Sequence, residues 1–330
     1  LPIMLSNNVA RRTRIQAVFQ FCGAIAGLVI QSYALPMIEA FGGQDNPAAW
    51  TKVIVIYGVA ATILFILSVQ SVRKLDVYEF HKANEKAVGS SKISFRQMID
   101  AVFKNRALMC VLLAYGTDMF ASQITNSMRI YFYKYNMGGR TDLMVWFGWV
   151  GTIASVLMLF FVGAYVKKLG KRWGIALVEA LCLVCSVVVL VAAPGQNAVL
   201  CTVALLASVF MFNFTNTLSR SAVLDAANYA EIKTGVSCNA VISSTFTFVN
   251  KCCQAFSAAF AGHILTWTGY NKDLVQQSDG TLQAILYLMT LVPIVAYICS
   301  LIGMWWYPIS RKDELEMEEK LVEKRAAALK

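Results

Sequence analysis

The sequence predicts an all-α protein that crosses a membrane several times, and three observations support this fold class. Of the 330 residues, 58% are hydrophobic and only 15% are charged, whereas a soluble domain carries about 25% charged residues. The mean hydropathy is +0.57. Eight segments are long and apolar enough to be transmembrane helices. Finally, Lys and Arg residues are concentrated in alternate connections between these segments, as expected for a polytopic protein.

Each of the eight segments contains about 20 mostly apolar residues, the length that spans the hydrocarbon core of a bilayer. No water satisfies backbone groups in lipid, so each segment is predicted to be a helix. Because eight is even, both ends of the chain are expected on one side. The segments are 15–38, 51–71, 106–131, 142–166, 173–193, 198–219, 241–266 and 283–307.

Basic residues indicate which side of the membrane each connection occupies. One set of connections contains 23 Lys and Arg residues, and the other contains only Lys134, Arg140 and Lys272. Because cytoplasmic loops carry the excess of Lys and Arg, the first set and both termini are predicted to be cytoplasmic, in the cell inner membrane. The net charge of +10 is thus a topology signal and does not indicate a nucleic-acid partner. The basic set comprises segments 1–14, 72–106, 167–172, 220–240 and 308–330.

One long connection, residues 72–105, divides the apolar segments into two before it and six after it. Six helices that follow a long cytoplasmic loop are typical of the second half of a protein built from two six-helix bundles. On this interpretation the first bundle is represented by two helices only. A complete eight-helix protein is the alternative. The predicted domains are 1–71, the central loop 72–105, the six-helix bundle 106–308 and a cytoplasmic tail 309–330.

Three ionisable residues lie well inside the apolar segments: Lys251, Asp118 and Glu179. Each costs about 2.5–3.5 kcal/mol at the bilayer centre on insertion scales, so each needs a partner or a polar cavity. Lys251 and Asp118 are at similar depth, and we expect them to face a shared cavity, where they could pair. A structural ion pair without a role in ligand binding is the alternative for both. For Glu179 the alternative is a hydrogen bond between helices.

Residues 220–239, RSAVLDAANYAEIKTGVSCN, interrupt the apolar sequence with a polar passage on the predicted cytoplasmic side. This passage resembles a signature of the glycoside–pentoside–hexuronide:cation symporters, the melibiose-carrier family of the major facilitator superfamily. Three further stretches resemble motifs of the same family, in the same order along the chain. They are RRTRI at 11–15, YFYKYNMG at 131–138 and FVNKCCQAF followed by Gly-Tyr within 248–270.

The resemblance implies a major facilitator-type helical bundle with twelve helices, of which the chain would contain the last eight. It also implies a secondary active transporter that couples a sugar or glycoside to Na⁺ or H⁺ by alternating access. The family's cation-site aspartates would lie in helices before Leu1. No other cofactor, no metal and no enzymatic activity are expected, and no nucleotide-binding, zinc or nucleophile motif is present in the sequence. The expected partners are the sugar, the monovalent cation and the lipid bilayer.

Two groups of site residues follow from the residues and the resemblance together. Aromatic faces and hydrogen-bonding groups are typical of sugar sites, and charged pairs between two bundles can close a gate with small energies. An ordinary solvated loop is the alternative for the gate. The predicted substrate and coupling residues are Lys251, Asp118, Asn126, Tyr115, Gln123 and Tyr131, with Trp146 as a further aromatic candidate. The predicted gate consists of Asp225, Tyr229, Glu231 and Gly235, with Asp225 and Glu231 held against Arg12 and Arg14.

The chain departs from the family pattern within the polar passage. Asn228 stands where the family has a second aspartate, and Ser237 stands where it has an arginine. The resemblance also fixes neither the sugar nor the ion, because the family's cation-site aspartates and main sugar contacts would lie in helices before Leu1. Two alternatives stay open at this point: a facilitator-type carrier of a non-sugar solute, and a polytopic membrane protein without transport activity.

Overall fold

The computed structural model is helical, and no strand occurs among the residues that it describes. It divides into two compact units, Leu1–Ser90 and Ser91–Lys330. The described residues are 22–23, 25–27, 29–30, 33–34, 36–43, 46–72, 99–100, 102–234, 239–271, 274, 276–313 and 316–317.

In the first unit, the helix α1 covers Pro47–Val72. Asn46 precedes it, and its side-chain oxygen accepts a hydrogen bond from the backbone of Ala48 at 3.0 Å, which caps the helix. A small buried cluster of Ile38, Ala49 and Val53 joins α1 to the preceding helical residues. Most other apolar side chains of α1 are exposed, as expected for a helix whose surroundings are lipid.

Six further α-helices occur among the residues of the second unit that the structure describes. They are α2 (Arg106–Tyr131), α3 (Val145–Ala192), α4 (Ala198–Thr234), α5 (Asn239–Trp267), α6 (Asp279–Met289) and α7 (Leu291–Trp305). The helix α2 is central, because it packs against α4, α5, α6 and α7. One buried cluster surrounds its first half and another surrounds its second half.

Five helical stretches that the structure describes are long and apolar enough to cross a membrane: Pro47–Ser71, Arg106–Asn136, Lys168–Gly195, Ala198–Lys233 and Asp279–Trp305. They overlap five of the eight predicted segments. Two others, 142–166 and 241–266, are also helical, in α3 and α5, but do not meet the same criterion. Half of segment 15–38 lies outside the described residues, so the number eight stays a prediction.

The turn between two predicted segments is made by Gly170. Its φ of 71° and ψ of 170° interrupt α3, so this element consists of two helical arms. A left-handed φ is accessible to glycine without steric cost. The predicted helix 283–307 is likewise divided into α6 and α7 at Thr290, whose φ and ψ are −129° and −59°. Pro293 contributes to this break because it lacks the N–H that would bond one turn back.

Gly303 sets the distance between α7 and α2. A Cβ atom at this position would lie 3.1 Å from the backbone oxygen of Cys110 and 3.5 Å from the backbone nitrogen of Ala114. Backbone atoms cannot move aside as a flexible side chain can. Close helix contacts of this kind favour small residues in membrane proteins.

We therefore expect Gly303→Ala to destabilise the protein by about 1–3 kcal/mol, the usual cost of overpacking. The measurement is the thermal unfolding midpoint in detergent. Gly262→Ala on α5 is the matched control, because a Cβ there would meet nothing within 4 Å; its midpoint should stay unchanged or rise, since alanine favours helix. Equal midpoints for the two variants would show that α2 and α7 are not in close contact.

Candidate functional site

Lys251 lies in the middle of α5 with its side chain exposed on the surface of the second unit. Its Nζ donates to Gln254 Oε1 at 3.1 Å, and Gln254 Nε2 donates to Asn250 Oδ1 at 3.2 Å. These three residues form a polar ladder on a helix that is otherwise mostly apolar. Charged and amide groups in direct contact with lipid are expensive, so this face of α5 requires polar surroundings.

Asp118 does not pair with Lys251. The aspartate is 1% exposed and forms no salt bridge among the described residues. Its electrostatic neighbour is Glu179 of α3, which is 0% exposed. Lys251 and Asp118 are therefore not paired in this structure, because side chains at equal depth can lie on different faces of their helices; a cavity that both residues face stays a prediction. The sequence identifies Glu179 as unusual, but its electrostatic interaction with Asp118 depends on how the helices are arranged.

Tyr115 lies one turn before Asp118 on α2 and is fully buried. Its ring packs against Phe246 of α5, with ring centroids 4.3 Å apart. Arg220 of α4 lies over the same Phe246 ring, 5.8 Å from its centroid, and donates to Asn216 at 2.8 Å. The Tyr115 hydroxyl interacts electrostatically with both Asp118 and Arg220. Arg220 was counted in the sequence only as a topology signal.

Gln123 and Asn126 lie in the second half of α2, near the predicted outer surface. Asn126 Oδ1 accepts a hydrogen bond from Arg129 at 2.8 Å, and the Arg129 guanidinium lies 4.0 Å from the centroid of the Phe147 ring. This stacking accounts for Arg129 without a ligand. Trp146 is 57% exposed, as is common for aromatic residues at a membrane surface.

Two stretches that the sequence singled out separately meet in the structure. The YFYKYNMG stretch ends α2 with a π-helical turn, Phe132–Asn136. Tyr131 and Tyr135 from this stretch contact Tyr270, which follows α5, with ring centroids 5.3 Å and 6.0 Å apart. Gly269, with a φ of 76°, ends α5 and directs Tyr270 to this position. Burial raises the pKa of the Tyr270 hydroxyl, and this hydroxyl shares a hydrogen bond of 3.4 Å with the Tyr135 hydroxyl.

Most of the polar passage 220–239 is helical rather than a loop, because α4 continues to Thr234. Small residues on one face are buried, among them Ala226 and Ala230. Asn105, which caps α2, donates to the backbone oxygen of Ala226 at 2.8 Å. The alternative of an ordinary solvated loop was therefore wrong for residues 220–234, which pack against the beginning of α2.

Asp225 forms a salt bridge with Lys171, and both side chains are only 14% exposed. Lys171 directly follows the Gly170 turn. The next residue, Arg172, donates to the backbone oxygens of Met304 and Trp305 at 3.1 Å and 2.5 Å. Lys171 and Arg172, next to the turn between the two arms of α3, therefore connect this turn to α4 and to the end of α7. The sequence signal for this arrangement is the basic cluster between two apolar segments, within residues 167–172, which also indicates orientation.

The remaining gate candidates lie close to this point or outside the described residues. Lys233 lies over the Tyr229 ring, 4.5 Å from its centroid, and Glu231 is 9% exposed. Gly235, Arg12 and Arg14 lie outside the residues that the structure describes. The predicted contacts of Asp225 and Glu231 with the two arginines stay predictions.

Comparisons with known proteins support the resemblance. The chain is 24% identical to the isoprimeverose transporter of Lactiplantibacillus pentosus over 98% of this chain and 66% of that protein. It is 24% identical to the putative sulfoquinovose importer of Escherichia coli K12, over 90% of this chain and 61% of that protein. It is 22% identical to the putative glycoside/cation symporter YagG of the same organism, over 99% of this chain and 69% of that protein. The chain thus spans about two thirds of the length of the curated relatives it matches.

A family model described as MFS/sugar transport protein matches residues 1–311. Together with its apolar helices, this match identifies a multi-pass membrane protein of the major facilitator type. The relatives named above are transporters by name, in agreement with the melibiose-carrier resemblance. Because the model covers nearly the whole chain, the chain belongs to the MFS/sugar transport family.

Proposed function

We propose that this protein is a secondary active transporter that moves a sugar or glycoside together with Na⁺ or H⁺ by alternating access. The observation that carries the proposal is the polar ladder of Asn250, Lys251 and Gln254 on the exposed face of α5. Within a family of sugar transporters, a polar cavity against this face would satisfy these groups. Amide and ammonium groups suit the hydroxyl groups of a sugar, which both donate and accept hydrogen bonds.

The names of the relatives narrow the substrate class to be tested. They refer to isoprimeverose, to a glycoside and to sulfoquinovose. We propose uptake of a glycoside, with Lys251 as the cationic contact. Cation coupling is proposed from the resemblance and from the symporter name of one relative. Tyr115, Gln123, Asn126 and Tyr131 remain candidate positions along the substrate path.

The test is transport by the protein expressed from its complete coding sequence and reconstituted into proteoliposomes. Radiolabelled glycosides are screened under an inward gradient of Na⁺ or of H⁺. We expect accumulation of a glycoside that stops when the gradient is removed. Equilibration without accumulation would indicate a facilitator, and transport restricted to a non-sugar solute would contradict the proposed substrate class. If labelled solute also fails to enter in exchange for unlabelled solute inside the vesicles (counterflow), for every solute tested, the carrier proposal itself is contradicted.

For the whole chain we propose eight membrane-spanning helices, two before residues 72–105 and six after them, with both ends in the cytoplasm of a cell whose inner membrane holds the protein. The two sides of the second arm of α3 provide a test of orientation. Gly195→Cys, just after this arm, is expected to react with a membrane-impermeant maleimide in intact cells, above the labelling of the parent protein. Lys168→Cys, at an exposed position just before the Gly170 turn, should react only after permeabilisation. The reverse pattern would show that the orientation is inverted.

A further inference from the structure

We propose that Asp118 and Glu179 form a proton-binding site inside the six-helix unit, separate from the polar ladder of α5. The site does not depend on which solute is carried. Its use in transport would rest on the proposed symport, but binding of the proton is a property of these residues themselves. The resemblance assigns no role to either residue.

The two carboxyl groups are buried on different helices of the second unit and interact electrostatically. Asp118 comes from α2 and Glu179 from the second arm of α3, and they are 1% and 0% exposed. Asp118 Oδ2 and both carboxylate oxygens of Glu179 lack a hydrogen-bond partner. Buried carboxyl oxygens are normally paired, because an unpaired one costs at least a lost hydrogen bond. This pair therefore has unused capacity to bind a ligand that is small enough to enter a packed bundle.

Two hydroxyl groups provide a second, independent indication of a ligand. Thr215 of α4 is 1% exposed and Ser300 of α7 is 0% exposed. Both hydroxyls interact with the Glu179 carboxyl, although neither forms a hydrogen bond of regular geometry in this conformation. A hydroxyl can donate to an ionised carboxylate and accept from a protonated one. Thr215 and Ser300 therefore suit a carboxyl that changes its protonation state.

The charges around the pair favour a proton. Neither carboxyl forms a salt bridge among the residues that the structure describes. Two negative charges that interact while removed from water would repel each other without compensation, whereas one bound proton leaves one charge and two bound protons leave none. The other titratable side chains that interact with the pair are Tyr115, Cys182 and Tyr297.

Tyr115 connects this site to the surface of the unit. Its hydroxyl is buried and unpartnered, and it interacts with both Asp118 and Arg220. Arg220 is exposed. The proposed route for a proton therefore runs from the region of Arg220 past the Tyr115 hydroxyl to Asp118. The Phe246 ring, stacked on Tyr115, separates this route from open water. Tyr115 is accordingly assigned as a positioning residue for proton exchange.

Infrared spectroscopy of the purified complete protein tests the site directly, since a protonated carboxyl has a C=O stretch distinct from that of a carboxylate. We expect such a band at neutral pH in the unsubstituted protein, whereas exposed acids are ionised there. Asp118→Asn and Glu179→Gln should each remove or shift it. Asp142→Asn is the matched control, because this carboxylate is exposed and bound to Arg140; it should leave the band unchanged.

Several outcomes would overturn the proposal. If the unsubstituted protein lacks the C=O band of a protonated carboxyl at neutral pH, the proposal is wrong, even if the variants fail to fold. A band that persists in both variants would assign it to another carboxyl, and a band abolished by Na⁺ at constant pH would assign the pair to Na⁺ binding. The route is tested by proton exchange. In heavy water the carboxyl proton is replaced by deuterium and the band shifts; Tyr115→Phe should keep the band but slow this shift several-fold. An unchanged rate would remove Tyr115 from the path.

Discussion

Replacement of Lys251 by alanine is expected to reduce cation-driven glycoside uptake at least tenfold, while the amount of protein in the membrane changes little. The side chain is exposed on α5, and the one hydrogen bond that the structure describes for it is to Gln254. Its removal therefore leaves no buried carboxylate without a partner, so folding should not suffer. Loss of one charged hydrogen bond to a bound ligand corresponds to about 1.5–3 kcal/mol, which is roughly ten- to a hundredfold in affinity.

Two further variants separate charge from position. Lys251→Arg keeps the charge and should retain part of the uptake, although an arginine and a lysine are not equivalent contacts. Thr247→Ala is the matched control, because Thr247 is exposed one turn earlier on the same helix and bonds only to the backbone of Ser243. Uptake by Lys251→Ala equal to that by Thr247→Ala would remove Lys251 from the transport path.

The same measurement distinguishes the structure from the pairing that the sequence suggested. If Lys251 and Asp118 formed an ion pair, Asp118→Asn would restore part of the uptake lost in Lys251→Ala. We expect no restoration, because Asp118 interacts with Glu179 and forms no salt bridge among the described residues. Restoration would indicate that the two side chains meet in another conformation of the transport cycle.

The sequence predicted helices well where one apolar run forms one helix. Asp118 and Glu179 are unusual in any apolar segment, so their importance could be recognised from hydropathy alone. Hydropathy could not predict which side chains contact each other, because it indicates the depth of a residue in the membrane but not the rotation of its helix. The polar composition of residues 220–234 suggested a loop; buried small residues such as Ala226 and Ala230 instead allow α4 to continue against α2. Polar residues after an apolar segment are compatible with a loop and also with a continued helix.

The Lys171–Asp225 salt bridge is expected to be the strongest ionic contact at the predicted cytoplasmic end of the second unit. Both side chains are 14% exposed, which places the pair between surface salt bridges, worth about 0–1 kcal/mol, and buried ones, whose disruption costs about 3–5 kcal/mol. We expect Asp225→Asn and Lys171→Met each to destabilise the protein by about 1–3 kcal/mol on these grounds. The measurement is the thermal unfolding midpoint in detergent.

A double-mutant cycle isolates the contact itself. The double variant should be destabilised by clearly less than the two single variants together, and exchanging the two residues, with Lys171→Asp and Asp225→Lys, should restore part of the stability. Lys168→Met is the matched control, because Lys168 is exposed at the same end of α3. Additive effects of Lys171→Met and Asp225→Asn would show that the two side chains do not interact.

A double-mutant cycle measured on uptake rates tests whether Asp225 also acts in a gate. Asp225 is held by Lys171 within the second unit. It cannot pair fully with an arginine elsewhere unless this salt bridge loosens during the transport cycle. If Arg12 or Arg14 competes with Lys171 for Asp225, then Lys171→Met should strengthen the coupling between Asp225→Asn and the substitution of that arginine by methionine. We expect this coupling in uptake rates, and little of it in the unfolding midpoint. Coupling of zero for both arginines, with and without Lys171, would leave Asp225 as a structural residue that joins α3 to α4.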